Sequence, residues 1–533
     1  MKRVIIITLV GLSVVLITAG MVLEGQENSS ASLFTDSLNT SITDTVTNEA
    51  IIPAEQDSHA GGSAGVASDI PEHLKVLQNY EANFNIHSVL RGILGLFVLV
   101  GMGWLFSAKR KLVNWRTVLG ALLLQLIIAF AVIYVPQVRE VFRVMGSAFV
   151  KVLNYSEEGS RFLFGYLIGD VGVFDDTGKE VDGFQVLAGG RQMVSIFAFK
   201  ILPTIIFFSA LSSILYYFRV IQFVVFVFAW LMTKTLKLSG AESLSAAGNI
   251  FLGQTESPLL IKAYLEKMTK SEINLVMVGG MATVAGGVLA IYVSMLGNNN
   301  PALEAIFAQH FITASVLAAP GAVVMAKLLY PQKEKIDTSI HIPREKIGNN
   351  FLSAIANGTT DGVKLAVNVG AMLLVFIGMI ALLNGILGWI GSWSNLNELI
   401  AEVSGGQYQK FSMQFILGYA AAPLMWVVGV DPSQLTVAGQ LLGEKVIINE
   451  FLAYTSMKEL LVSGKLVDPK SIIIVTYILC GFANFSSIGI QVGGIGAIAP
   501  GQRKNLTKLG FRALVGGTLA SLLSATIIGM LYG

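Results

Sequence analysis

A short polar island in an apolar setting constrains this chain most. The stretch Asn249-Ile-Phe-Leu-Gly-Gln-Thr-Glu256-Ser-Pro258 gathers Asn249, Gln254, Thr255 and Glu256 between flanks that are apolar on a membrane scale. An ionisable residue in such a run is costly and marks a functional site by default. Gly253 permits a sharp bend and Pro258 removes a helix hydrogen bond, so the two bracket the polar tip. The pattern predicts a re-entrant hairpin: one helix enters the bilayer, stops at the tip, and a second leaves. Open backbone at membrane depth survives only where it lines a protected cavity. Such a tip offers helix ends and freed carbonyls to a solute and an ion. The plainer alternative is a polar loop between two ordinary helices.

Composition sets the solvent. Of 533 residues, 53% are hydrophobic and 13% are charged, where a soluble protein carries about a quarter charged residues. Repeated apolar runs of about 20 residues predict an all-α polytopic membrane protein. The net charge of +2 says nothing about nucleic acid, but no basic stripe with interleaved aromatics appears, so no nucleic-acid partner is expected. A single cysteine, Cys480, excludes an internal disulfide framework. His59, His73, His87, His310 and His341 are scattered, and no HExxH or clustered Cys/His set predicts a zinc site.

Residues 1–23, Met-Lys-Arg followed by an apolar run, read as a signal peptide or a first membrane anchor. Residues 24–87 read as a flexible external linker, rich in Ser, Thr, Asn and Asp over 24–74. The membrane domain covers 88–533, with eight spans expected near 88–106, 116–135, 194–218, 271–296, 309–330, 364–390, 471–498 and 508–531. Re-entrant hairpins are expected near 241–265 and 436–456. Residues 138–155 are amphipathic and predict an interfacial helix; 220–237 and 408–430 are further interfacial candidates. Lys109-Arg110-Lys111, Lys234 and Lys237, Lys262, Lys267 and Lys270, Lys333 to Lys346, and Arg503 to Lys508 all fall inside if the first of these spans runs inward. The first hairpin then enters from the cytoplasm and the second from outside.

Two later segments echo each other. Gly280-Met-Ala-Thr283-Val284-Ala-Gly-Gly-Val288 and Gly481-Phe482-Ala-Asn484-Phe-Ser-Ser487-Ile488 share a pattern of Gly, apolar, Ala, polar, apolar, then small residues. Each follows a hairpin candidate with a glutamate, Glu256 or Glu450. With opposite entry sides, this is the signature of an inverted-repeat secondary transporter with its site near the midplane. Each Gly-rich run taken alone also reads as a close helix contact.

The two tips and two Gly-rich helices together offer Gln254, Thr255, Glu256, Val288, Glu450, Phe482, Asn484 and Ser487. Carboxylates accept from hydroxyls, and amides donate and accept. Val288 and Phe482 add a flat apolar surface. The set suits a neutral solute with a polyhydroxyl part and a flat heterocycle; no Arg or Lys sits at the tips to greet a phosphate or carboxylate. Asn249 and Thr283 offer hard oxygens, and the bends offer the Leu252 and Val284 carbonyls, which suit a hard cation. The competing reading has Asn249 and Thr283 simply capping helix ends.

Asn249-Ile-Phe-Leu-Gly-Gln-Thr-Glu256, Asn449-Glu450-Phe451, Cys480-Gly-Phe-Ala-Asn484-Phe-Ser-Ser487 and Phe199-Lys200-Ile-Leu-Pro203-Thr204, in that arrangement, resemble the signatures of the concentrative nucleoside transporter family. The resemblance covers roughly 88–533; residues 1–87 depart from it. It implies a homotrimer with eight spans and two hairpins per protomer, a transport domain moving like an elevator, and no enzymatic activity or cofactor. It implies that Gln254, Thr255 and Glu256 hold the base and that Val288 packs on it. Glu450, Asn484 and Ser487 would bind ribose, with Phe482 nearby. Sodium would be held by the Asn249 and Thr283 side chains and the Leu252 and Val284 carbonyls. The expectation is a sodium-driven importer of nucleosides of the uridine, cytidine and adenosine class in a bacterial inner membrane. Proton coupling in the same fold is the alternative. An intramembrane enzyme lacks a catalytic set here, and a passive pore would not accumulate solute.

Overall fold

The computed structural model describes residues 72–80, 82–168, 173–174, 180–181, 197–297, 300–334, 336–337 and 350–533. The fold is all-α, apart from a two-residue antiparallel ladder between Val173–Phe174 and Glu180–Val181. Among the described residues, seven helices are long and apolar enough to cross a membrane: Ile86–Leu105, Trp115–Tyr134, Ala198–Tyr217, Lys270–Gly297, Pro301–Leu329, Phe351–Trp393 and Pro500–Leu531. They coincide with seven of the eight expected spans. The eighth, near 471–498, is divided into Pro469–Leu479 and Phe485–Ile498.

Sequence reasoning gave 271–296 and 471–498 each as one span, with a bend at Val284 in the first, and both are broken. The first stops at Ala282 and resumes at Gly286, with Thr283 extended at φ −119° and ψ 167°. The second stops at Leu479, and Asn484 caps the helix that begins at Phe485. Hydropathy misses this because each interruption holds a single polar residue, Thr283 or Asn484, among apolar ones. Gly481 permits the second break: its φ is +149°. A Cβ there would lie 2.8 Å from the Ala282 carbonyl and from Ser521 Oγ. Left-handed backbone and close approach both call for glycine.

Other expectations shift at their edges. The span expected near 364–390 lies inside a 43-residue helix, Phe351–Trp393. At 1.5 Å per residue it is about 65 Å long, roughly twice a hydrocarbon core. The amphipathic 138–155 belongs to Pro136–Phe164, whose Gly146 lies against the Ala305 carbonyl. Segments 220–237 and 408–430 contain the helices Val220–Leu236 and Met413–Val428. Residues 1–71 lie outside the described residues. The end of the expected linker is ordered: Glu72–Asn79 is helical, with Leu74 and Leu77 buried one turn apart. Tyr80 stacks on Tyr532 at 5.8 Å.

A three-part unit occurs twice. Gly240–Leu265 forms a hairpin, Lys270–Gly297 a broken helix and Pro301–Leu329 a 29-residue helix. Leu435–Val462, Pro469–Ile498 and the 29-residue Arg503–Leu531 repeat that order. Both 29-residue helices are packed by both halves of the molecule, and the broken helices lie on them. Burial follows: 94% of the most apolar window of Pro301–Leu329 is inside, against 11% for Phe351–Trp393. The core is therefore the paired units, and the long helix stands at the edge.

Candidate functional site

The first hairpin descends as Gly240–Gly248, started by a capping box between Ser239 and Glu242. Glu242 also pairs with Lys327 of Pro301–Leu329, and Lys327 Nζ donates to Ser271 Oγ at 3.2 Å. The arm is thereby fixed to both other elements of its unit. Past Asn249 the chain leaves the helix, turns through Gly253–Glu256 and returns through Ser257–Ile261. Ser257 Oγ–H donates to the Ser245 carbonyl at 2.9 Å and closes the hairpin. The Phe251 carbonyl accepts from the Gly286 N–H at 3.3 Å, tying the tip to the first break.

The second hairpin has a tighter tip. Leu435–Ile447 ends at Ile448, and Asn449 caps Glu450–Val462 by accepting from the Leu452 N–H at 2.9 Å. Glu450 is therefore the first residue of a helix, at the positive end of its dipole, a favourable place for a carboxylate. It is 6% exposed. Its Oε2 accepts from Asn484 Nδ2 at 2.9 Å and its Oε1 from the Tyr292 hydroxyl at 3.1 Å. Asn484 Oδ1 in turn accepts from the Ser487 N–H at 2.8 Å and from Ser486 Oγ–H at 2.7 Å.

The chain of contacts then crosses to the first hairpin. Gln254 Nε2 donates to Ser487 Oγ at 3.2 Å, and Gln254 Oε1 accepts from Gln491 Nε2 at 3.1 Å. Gln491 also donates to the Met277 carbonyl at 3.1 Å. Gly280 makes room, since a Cβ there would lie 2.7 Å from Gln491 Nε2 and 2.9 Å from Gln254 Cβ. The two breaks are joined directly: the Phe482 N–H donates to the Thr283 carbonyl at 3.2 Å. Both hairpin tips and both breaks thus meet at one place.

The structure brings Gln254, Glu450, Asn484 and Ser487 into one hydrogen-bonded chain, with Phe482 half-buried beside Thr283. Val288 is buried on the helix that carries Tyr292. Thr255 and Glu256 face outward at the tip: Thr255 lies against Gly494, and the Glu256 carboxylate accepts from its own Gly253 N–H at 3.3 Å. Neither joins the chain. Tyr292 and Gln491 were missed by sequence reasoning. A signal existed, because each lies four residues after a predicted site residue, Val288 or Ser487, on the same helix face.

Asn249 and Thr283 do sit at helix ends, as the plainer reading had it. Capping leaves something over. Asn249 is 1% exposed, and its Oδ1 has no hydrogen-bond partner. A buried acceptor without a donor is costly unless something positive meets it. Thr283 Oγ1–H donates to the Gly279 carbonyl at 3.0 Å, which leaves that hydroxyl's lone pairs free to accept. Leu252 and Val284 stand in non-helical backbone, so their carbonyls serve no helical ladder. An oxygen-only set of this kind fits a small hard cation.

Two hairpin tips facing two broken helices at the centre of a twice-repeated unit define a polytopic membrane transporter. The family profile for the Na+ dependent nucleoside transporter C-terminus matches residues 310–529, that for its N-terminus 94–167, and a nucleoside recognition profile 198–299. An uncharacterized transporter of Haemophilus influenzae is 40% identical over 450 residues, covering 84% of this chain and 98% of that protein. The nucleoside permease NupC of Helicobacter pylori is 38% identical over 450 residues, covering 84% of this chain and 99% of its own. A solved structure of CNTnw in an inward-facing substrate-bound state is 38% identical, with a TM-score of 0.71 over 83% of this chain and 98% of that one. The chain belongs to the concentrative nucleoside transporter family. It is a nucleoside transporter and not an enzyme.

Proposed function

We propose that this protein is a sodium-coupled nucleoside symporter that imports uridine, cytidine and adenosine-class nucleosides across a bacterial inner membrane. The observation that carries the reading is the pairing of two features. A hydrogen-bonding chain free of Arg and Lys, Gln254–Ser487–Asn484–Glu450, spans the two hairpins, and the unpartnered Asn249 Oδ1 stands at the base of the first tip. In this account Glu450, Asn484 and Ser487 bind the ribose hydroxyls. Gln254, Thr255 and Glu256 meet the base, Val288 packs on it, and Phe482 closes one side. Sodium sits among Asn249, Thr283 and the Leu252 and Val284 carbonyls.

Binding of ion and nucleoside together stabilises a movable state, and that coupling drives accumulation. The movement is elevator-like, with the paired hairpins and broken helices travelling against the outer helices. In this account Phe351–Trp393, little buried within one chain, belongs to a fixed scaffold shared by a homotrimer. Proton coupling is the second reading, favoured by one fact: Glu450 is buried between a hydroxyl and an amide that tolerate either protonation state. The test is labelled uridine uptake into proteoliposomes under an inward sodium gradient or an inward proton gradient. Accumulation with sodium alone is expected. Accumulation with protons alone would move coupling to a carboxylate. No uptake of purine or pyrimidine nucleosides by a folded preparation would contradict the nucleoside reading.

A further inference from the structure

The twice-repeated unit has two junctions of one kind. In each, the end of a hairpin's first arm lies against the last turn of the first half of a broken helix. In the first unit that position holds Asn249, whose amide lies against Gly279 and whose Oδ1 is unpartnered. In the second unit the junction is occupied by Lys445. Aligned on the ends of the two arms, Gly248 and Ile447, Lys445 falls one turn before the counterpart of Asn249 and on the same face. Its four-carbon stem carries the ammonium to the last turn of Pro469–Leu479.

Lys445 is 0% exposed. Its Nζ donates to the Ile478 carbonyl at 2.7 Å and to Ser521 Oγ at 3.3 Å. The Ser521 hydroxyl points on to the Cys480 carbonyl at 3.2 Å. Among the described residues, no carboxylate forms an ion pair with Lys445. A buried ammonium held only by neutral oxygens is a costly arrangement; here one of them, the Ile478 carbonyl, belongs to a helix C-terminus, where a positive charge is favoured, and the charge of Glu450 acts on it without a direct ion pair. Carbonyl and hydroxyl oxygens at a helix break are also what a sodium ion would use.

We propose that the Lys445 ammonium is a tethered cation that permanently fills the second unit's counterpart of the ion site, so that a single mobile cation accompanies each nucleoside. Lys445 is thus a positioning residue: it holds the Pro469–Leu479 end, and through it the break that carries Phe482 and Asn484. The proposal rests on the symporter reading above. Its consequence is that removing the charge while keeping the stem creates a demand for a second mobile ion.

The test has two arms. In proteoliposomes at zero membrane potential, a tenfold sodium gradient should accumulate uridine about tenfold if one ion is coupled and about a hundredfold if two are. About tenfold is expected of the unaltered protein; about a hundredfold would overturn the inference while leaving the symporter intact. No sodium-driven accumulation at all would instead contradict the symporter reading. In the second arm, Lys445→Met should transport only at raised sodium, with the Hill coefficient of sodium activation rising from about 1 toward 2. Lys445→Arg should keep the unaltered curve. A transporting Lys445→Met with unchanged sodium activation would overturn the inference. If Lys445→Met does not fold, the accumulation ratio decides alone.

Discussion

Glu450 has both carboxylate oxygens occupied, one by Asn484 and one by Tyr292. Removing its charge replaces two charge-assisted hydrogen bonds by neutral ones, and hydrogen bonds to charged groups are worth about 1.5–3 kcal/mol each. Glu450→Gln should therefore cut concentrative uridine uptake by at least about tenfold; uptake at the unaltered rate in proteoliposomes would remove Glu450 from the site. The Gln254–Ser487 bond of 3.2 Å bridges the two units where a ribose hydroxyl would insert. Ser487→Ala should weaken uridine affinity by about fivefold, the worth of one neutral hydrogen bond, and titration calorimetry reads this directly. Residues of this kind were legible in the sequence because Glu, Gln and Asn stand out in apolar runs. Tyr292 was not, because a tyrosine on an apolar helix reads as core; its ring does pack on Tyr454 at 4.2 Å while its hydroxyl serves Glu450. Gln491 hid in a Gly-rich run that reads as a helix contact.

At the scale of elements, the two hairpins and the repeated order of hairpin, helix and long helix were legible from the polar tips and from the loop charges. Of the breaks, only the bend at Val284 was. A break needs backbone geometry, and in the second unit the geometry rests on Gly481 at φ +149° against Ala282 and Ser521. Gly481→Ala meets both left-handed strain and a carbonyl contact, a cost of about 1–2 kcal/mol or more. It should lower the unfolding temperature in detergent and reduce uptake together. A variant with unchanged melting and unchanged uptake would show that the break is set elsewhere. Pro469–Leu479 and Phe485–Ile498 are each too short to span a bilayer alone. They fill the expected span near 471–498 only as a pair.

Across the whole molecule, burial divides the chain into a dense paired core and a looser outer set. Pro301–Leu329 is nearly enclosed, whereas Phe351–Trp393 leaves Leu374, Trp389 and Trp393 exposed. Composition made the membrane solvent legible, but nothing in a single sequence distinguishes an apolar face that meets lipid from one that meets another copy. The account predicts that purified protein in detergent has the protein mass of three copies by light scattering. A single-copy mass, with uptake retained after reconstitution, would contradict the trimer. A mobile core moving against such a scaffold would make ion and nucleoside binding mutually dependent, because the proposed ion ligands share the first hairpin and the first break with part of the proposed nucleoside set.

That dependence is the account's central claim, and calorimetric titration of uridine into the purified protein in sodium and in choline tests it most directly. The prediction is that replacing choline by sodium tightens uridine binding by about 5-fold or more, and that Asn249→Ala abolishes the difference while still binding uridine weakly. Equal affinity in the two salts, with uridine bound in both, would contradict the claim that the Asn249 and Glu450 sites act as one.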